Sequence, residues 1–241
     1  MKSLLLALET ATEVCSVALL NGDSLYFEAT LQQGRIHAER LAPLIATALE
    51  HSGVQAAELQ AVAVSMGPGS YTGLRVGVST AKGLCEATNA ALIGVPTLEA
   101  LAASVMPYAE PEDVIIPLLN SRRSEVYAAA YRIGPENTLH PLAKAVAYEA
   151  AELASWLEAL GLNGRLHLVG EGTTRVAPYL PKQPGLRLLD PHTHLMRAFW
   201  VGRLGWRRYQ QGQIADVASF EPLYLKDFVV NRATPQASLT S

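Results

Sequence analysis

The sequence predicts an α/β protein of two related lobes, each a mixed sheet flanked by helices. Three observations carry this. The first hundred residues change hydrophobic period in the order β-β-β-α-β-α-β-α. A polar, proline-containing stretch, Pro107-Tyr108-Ala109-Glu110-Pro111-Glu112-Asp113, then interrupts the pattern. Beyond it a strand, a polar turn and a strand recur, a weak duplication of the opening. The reading divides the chain into an N-terminal lobe (1–106), a C-terminal lobe (107–225) and a polar, partly flexible tail (226–241).

Each element follows from local pattern. Leu4 to Leu8 is a short apolar run, and Val14 to Leu20 a second. Asn21-Gly22 predicts a tight type I′ turn, whose central positions need positive φ, into a third strand from Ser24 to Thr30. From His37 to His51, Leu41, Leu44, Ile45, Ala48 and Leu49 take helical spacing, and Ser52-Gly53 stops the helix. Pro43 fits best in a first turn or at a kink. Leu59 to Ser65 is a strand, and Met66-Gly67-Pro68-Gly69-Ser70 a loop into a helix from about Thr72 to Asn89. Strand 92–95 and helix 97–105 close the first lobe. In the second, strands 114–119 and 125–132 flank a turn at 120–124, followed by helix 149–160, strand 166–169 and an amphipathic helix over about 195–211.

Composition narrows the function classes. Of 241 residues, 49% are hydrophobic and 17% charged, which excludes a disordered chain. A net charge of -3 excludes binding nucleic acid through bulk charge alone. It is also unevenly spread, at -4 over residues 1–104 and +1 over the remainder. No apolar run approaches the roughly 20 residues that span a bilayer, so no membrane role is expected. Met1 to Leu8 resembles the start of a signal peptide, but Glu9 and Glu13 end the run early. Cys15 and Cys85 cannot form a disulfide framework, and buried thiols in a cytoplasmic protein are expected.

The loop Gly67-Pro68-Gly69-Ser70-Tyr71-Thr72-Gly73 follows a strand and opens a helix. Such a helix start can hold a phosphate or carboxylate; equally, Ser70 or Thr72 can cap the helix without any ligand. The loop is neither a Walker A sequence nor a dinucleotide fingerprint. Gly73, Gly77 and Ala81 form a smooth i, i+4, i+8 stripe that lets another backbone approach closely, either the chain's own sheet or a second chain. Glu9-Thr10-Ala11-Thr12 reads as a polar hairpin turn, or as hydroxyls and a carboxylate that meet a nucleotide phosphate or Mg²⁺. His37 shares the apolar helix face, a place where packing is the commoner role. His192 and His194 lack a third metal ligand, and Asp190 or Thr193 is expected to cap the next helix. On that helix Met196, Trp200 and Leu204 read as core, and the arginines Arg197, Arg203, Arg207 and Arg208 as a solvated face. No complete catalytic constellation is present in the sequence.

Taken together, several blocks resemble one family. They are Leu6 to Leu19, His37 with Leu41 and Pro43, the Gly67-to-Gly77 loop and helix, Gly94-Val95-Pro96-Thr97-Leu98, Glu125-Val126-Tyr127 and Glu221-Pro222-Leu223-Tyr224-Leu225. The chain resembles the TsaB family, the dimerisation subunit of the bacterial machinery that makes threonylcarbamoyladenosine in tRNA, over nearly its whole length. The resemblance implies the actin/Hsp70-like, ribonuclease H-like ATPase fold. It implies a non-catalytic scaffold that binds the transferase subunit TsaD, reaches the accessory ATPase TsaE and tRNA through the complex, and forms a homodimer when alone. Thr97 and Leu101 stand where TsaD carries two metal-binding histidines, so no metal is expected.

The resemblance also implies a degenerate nucleotide site at Glu9, Thr10, Thr12, Gly170 and Gly172, with ATP or ADP held, if at all, at the complex interface. Glu9 and Asn120 replace the aspartates usual in such ATPases, and the extra methylene of Glu9 would displace a metal-bound water by about 1 Å, enough to impair hydrolysis. The partner face it implies comprises His37, Leu41, Leu44, Ile45, Ala48, Gly73, Arg75, Val76, Gly77, Thr80 and Ala81. An ATP-dependent small-molecule kinase or phosphatase of the same fold is the alternative.

Overall fold

The computed structural model describes residues 3–34, 36–135, 138–182 and 184–225; the tail expected over 226–241 lies outside them. Strands β1 (Leu4–Glu9), β2 (Val14–Asn21) and β3 (Ser24–Gln32) form an antiparallel meander in which Ala7 pairs with Ala18. The first turn differs from expectation by one residue. Asn21 pairs with Ser24, so Gly22 and Asp23 are central, and of these only Gly22 takes positive φ, at 61°. Helix α1 (His37–His51) buries Leu41, Ile45 and Ala48, with Pro43 inside the helix on its exposed side. Gly53, at φ 60°, ends it. Strand β4 (Ala61–Gly67) runs parallel to β1, helix α2 (Tyr71–Thr88) follows, and β5 (Ala91–Pro96) completes a sheet ordered β3-β2-β1-β4-β5. Helix α3 (Thr97–Ala103) crosses to the second lobe.

There β6 (Val114–Asn120), β7 (Glu125–Gly134) and β8 (Thr138–Glu149) form a second meander. Helix α4 (Leu153–Ala159), strand β9 (Leu166–Val169), the single turn α5 (Thr173–Val176), strand β10 (Leu186–Leu188) and helix α6 (Ala198–Gln210) follow. The second sheet is ordered β10-β9-β6-β7-β8, so β6 takes the place of β1 and β8 that of β3. The duplication read from two strands therefore extends to the whole sheet. Strand β8 has no counterpart in the sequence reading: it carries Pro141, and its residues alternate between half-buried and exposed, as on a sheet edge.

The two sheets lie on either side of residue 106 in sequence, but the last helix returns to the first of them. α6 packs on β1, β2, β4 and β5 of the first lobe. After it, Ala215 N–H donates to Leu92 O at 2.9 Å and Leu223 N–H to Met66 O at 2.6 Å, so the chain finishes along the first lobe. The reason is a face of small residues, Ala7, Ala18 and Ala63, that needs a closely fitting cover. Gly202 and Gly205 supply it: a Cβ on either would lie 2.4 Å from Leu20 Cδ1 or 2.5 Å from Ala63 Cβ. These glycines set the rotation of α6, so its buried face is Ala198, Val201, Gly202, Gly205 and Trp206. Trp200 and Leu204 are only half-buried, and Met196 is buried ahead of the helix. One core spans both sheets through α3 and α6, while separate cores lie beneath α1 with α2 and beneath α4.

Two further expectations about α6 are corrected. Asp190 closes its own turn by accepting His192 N–H at 2.9 Å, and Thr193 bonds Asp190 O; neither reaches the helix. The α6 start is satisfied from β2 and β3 instead. Ser16 Oγ accepts Ala198 N–H at 3.1 Å, and Glu28 Oε1 accepts Phe199 N–H at 3.0 Å. Nor are its arginines all a free solvated face. Arg197 pairs with Glu28, and Arg208 bonds Glu99 of α3 at 2.8 Å.

Candidate functional site

A cleft of about 700 Å³ opens between the lobes, at the carboxyl ends of the parallel strands β1 and β4, where ligands of open α/β sheets bind. Its walls are the β1–β2 turn with Thr12 and Glu13, the Pro68–Gly73 loop, the β6–β7 turn with Asn120 and Ser121, and Glu171. A smaller cavity of about 300 Å³ adjoins it and shares Thr12, Glu13, Asn120 and Glu171. Arg175 of α5 holds the β6–β7 turn by donating to Ser121 O at 3.2 Å and Glu125 O at 2.5 Å. Gly170 at φ 104° and Gly172 lie against β6, where a Cβ would come within 2.4 Å of Leu118 O or 2.9 Å of Leu118 Cβ. These two glycines serve close packing of the loop, and Glu171 between them accepts Asn120 N–H at 3.1 Å. Burial raises the Glu171 pKa, the Asn120 N–H opposes this, and nearby Glu13 reinforces it.

The start of α2 is occupied by its own chain. Ser70 caps it, its Oγ accepting Gly73 N–H at 3.3 Å, while Ser70 N–H donates to Ala11 O at 2.7 Å and Leu74 N–H to Ser70 O at 2.8 Å. The capping read for Ser70 is thus present, and the same loop lines the cleft from Pro68 to Gly73.

Glu9 and Thr10 belong to the interior. Both are fully buried. Glu9 Oε1 accepts Ala11 N–H at 2.7 Å, and Oε2 meets the Ser65 hydroxyl of β4. Burial pushes the Glu9 pKa up to about 7, against hydrogen bonds from Ser65, Ala11 and Thr12 that lower it. Thr10 Oγ1 donates to Gly73 O at 2.8 Å. Of the residues assigned to a nucleotide site, only Thr12 lines the larger cleft, its Oγ1 accepting Val14 N–H at 3.2 Å. Two carboxylates, Glu13 and Glu171, line this cleft together with Arg122. Glu9, Thr10, Gly170 and Gly172, assigned with Thr12 to a nucleotide site, do not line this larger cleft.

The residues assigned to a partner face divide in two. His37 is buried and its Nε2 donates to Val14 O at 3.2 Å; Leu41, Ile45 and Ala48 join the core beneath α1. The small stripe faces the same way. A Cβ on Gly73 would lie 2.0 Å from Thr10 O, one on Gly77 2.2 Å from Thr10 Oγ1, and Ala81 is fully buried. The choice left open by sequence is thus made by the chain's own interior: Gly73 and Gly77 admit its first turn, Ala81 joins the core, and their assignment to a second chain is corrected. Arg75 is exposed, and Leu44, Val76 and Thr80 are half-buried.

Sequence reasoning missed the residues beside these. The outer surfaces of α1 and α2 carry Ala38, Ala42 and Ala46, and Thr72, Ser79 and Gly83, all exposed. The i, i+4 spacing of the alanines was the available signal, masked by the more apolar row beside it. At the cleft mouth Tyr224 stacks on Tyr71 with ring centroids 5.1 Å apart, and Arg75 lies over the Tyr71 ring. Thr97 and Leu101 are both buried, Thr97 Oγ1 accepting Gly67 N–H at 3.0 Å. Among the described residues no group of three His, Cys, Asp or Glu side chains could hold a metal, and no helix is long and apolar enough to cross a membrane.

Comparison with known proteins agrees with this architecture. A family model described as "TsaD: tRNA N6-adenosine threonylcarbamoyltransferase" matches residues 29–182. The tRNA threonylcarbamoyladenosine biosynthesis protein TsaB of Escherichia coli is 29% identical over 233 residues, covering 96% of this chain and 98% of its own. The TsaB protein of Haemophilus influenzae is 28% identical, covering 96% and 97%. The structure of YeaZ from Pseudomonas aeruginosa superposes with a TM-score of 0.79 at 25% identity, over 92% of this chain and all of its own. An activator of 2-hydroxyisocaproyl-CoA dehydratase from Clostridium difficile, solved with ADPNP, shares the fold alone, at a TM-score of 0.50 and 10% identity over 88% of this chain and 97% of its own. The fold is the actin/Hsp70-like ATPase fold, with its two mixed sheets and flanking helices. With the family model matching more than half of the chain, and relatives named TsaB spanning nearly all of it, the chain belongs to the TsaD-like family as one of its TsaB members.

Proposed function

We propose that the chain acts in tRNA threonylcarbamoyladenosine synthesis as a non-catalytic scaffold subunit that binds and stabilises the transferase TsaD. The names of its relatives support the pathway. One observation carries the non-catalytic reading: Glu9, the carboxylate at the expected phosphate turn, is sealed against Ser65 and does not reach the cleft. Thr97 and Leu101, at the positions of the metal-binding histidines of TsaD, are spent on packing, which supports the same reading. The partner face is the outer surface of α1 and α2, where Ala42, Ala46, Val76 and Thr80 permit close helix approach. Alone, the chain pairs with itself through this face. ATP or ADP belongs at the contact with the partner, and TsaE and tRNA are reached through the complex, in the cytoplasm.

A pull-down of TsaD by the purified chain, with and without ATP, tests the proposal. Ala42→Arg and Val76→Arg should each abolish capture while leaving the circular dichroism of the chain unchanged; capture by both variants overturns the assigned face. Enzyme-like ATP hydrolysis by the chain alone, lost in Glu9→Gln, would favour the kinase or phosphatase alternative and overturn the scaffold reading.

A further inference from the structure

We infer that Glu9 is a proton-operated latch: protonated, it ties the β1–β2 turn to β4, and its ionisation loosens that turn together with the start of α2. The geometry supports this through a count of protons. Ser65 Oγ lies within reach of two acceptors, Leu8 O at 3.4 Å and the Glu9 carboxyl. The hydroxyl has one proton and can serve only one of them. If Glu9 carries a proton of its own, Glu9 donates to Ser65 Oγ and Ser65 donates to Leu8 O, and every group is satisfied. With Glu9 ionised, the Ser65 proton turns to the carboxylate and Leu8 O loses its side-chain donor.

The surroundings favour the protonated form. The Glu9 carboxyl faces Ser65 from β4, the Ala11 and Thr12 amides from its own turn, the Cys15 thiol from β2 and the Glu171 carboxyl from the second lobe. No lysine, arginine or histidine stands among them. A fully buried carboxylate without a cation carries a large desolvation cost, and protonation removes it.

The turn so held is also the seat of α2. Ala11, whose N–H bonds Glu9, accepts Ser70 N–H at 2.7 Å through its carbonyl, and Thr10 bonds Gly73 O. Two adjacent residues thus link the carboxyl to both ends of the first stretch of α2. Loosening at Glu9 reaches Ser70 and Gly73 through one residue each. A consequence that rests on the proposed partner face is that pairing through α2 weakens as pH rises.

The test uses the full chain and its Glu9→Gln variant, which copies the neutral carboxyl. Amide exchange at Ser70, Gly73 and Leu74 is measured from about pH 6 to about pH 8 and corrected for intrinsic rates. Wild-type protection should fall by up to about tenfold per pH unit above neutrality, and that of Glu9→Gln should stay flat. The same fall in both overturns the latch. Should Glu9→Gln fail to fold, Ser65→Ala decides: without the hydroxyl that shares a proton with the carboxyl, the pH at which protection falls is displaced, and an unmoved profile overturns the proposal. An infrared band of a protonated carboxyl at neutral pH, shifted in Ser65→Ala, supports it, and absence of that band overturns it. Sedimentation over the same range separates the two readings. Pairing that weakens in step with the amides supports the coupling, pairing indifferent to pH overturns it, and no pairing at any pH overturns the partner face instead.

Discussion

The hydroxyl of Thr10 donates to the backbone carbonyl of Gly73 at 2.8 Å, joining the first turn of the chain to the first turn of α2 across 63 residues. Both groups are buried, and no Cβ at position 73 could stand between them: it would lie 2.0 Å from Thr10 O. Thr10→Val keeps the shape and removes the donor, leaving Thr10's contribution to the α2 seat unmade. The expected loss is about 1–3 kcal/mol of stability, read from the urea midpoint, with faster amide exchange at Ser70 and Leu74. An unchanged midpoint would show that this bond contributes nothing net.

Gly77→Leu is expected to damage the monomer itself. Its Cβ would lie 2.2 Å from Thr10 Oγ1, and the remainder of the side chain would enter the interior near Val64. Overpacking of this kind costs roughly 1–3 kcal/mol or more. Thermal unfolding of the variant at a concentration where the protein is monomeric should show the loss. A monomer as stable as wild type would return Gly77 to the partner face.

Glu28 serves α6 from another strand, its Oε1 on Phe199 N–H and its Oε2 on Arg197. Glu28→Ala removes a cap and the acidic group at a helix N-terminus together, for an expected cost of about 1–2 kcal/mol. Proteolysis should then cut first near residues 190–198, where the chain returns to the first lobe. Cleavage confined elsewhere would refute the assigned role.

Asp113 anchors the segment between the lobes. Burial acts to raise its pKa, but the Glu110 N–H, His167 at 2.9 Å and Arg165 at 3.1 Å outweigh it and hold it below the ordinary 3.8. A carboxyl with a lowered folded pKa adds stability that is complete above the unfolded value and lost as pH falls through the folded one. The stability gap between wild type and Asp113→Asn should therefore be constant near neutrality and close below about pH 3.8, in denaturant melts at stepped pH. A gap that persists into acid would mean that packing, not charge, holds this site.

Glu9 works in the opposite sense. Its folded pKa, raised to about 7, contributes stability that is present below the unfolded 4.5 and is lost as pH rises through 7. Glu9→Gln should equal wild type in acid and exceed it in alkali by up to about 3 kcal/mol. Equal melting curves for the two proteins at all pH values would show that Glu9 titrates normally.

Much of the fold was legible from local pattern. Helix α1 runs over the 37–51 of its apolar spacing, and strands β1, β2, β4 and β6 follow their Val, Leu and Ala runs. The elements that escaped are those whose pattern is weak by construction: β8, a half-exposed edge, and β10 and α5, of three and four residues. The candidate site was legible only in outline. Glu9, Thr12 and the Gly67-to-Gly77 block were recognisable as unusual, whereas the direction each side chain takes was not.

What the sequence by itself determined is the order of elements, the duplication and the family, because hydrophobic period, turn residues and motif blocks are properties of neighbours along the chain. Only the tertiary structure decided that Gly73 and Gly77 admit Thr10, that Glu9 turns to Ser65, and that α6 closes the first lobe. A helix has two sides that small residues can serve equally well. Which side meets the core depends on what arrives there from 60 or more residues away, and periodicity holds no record of that.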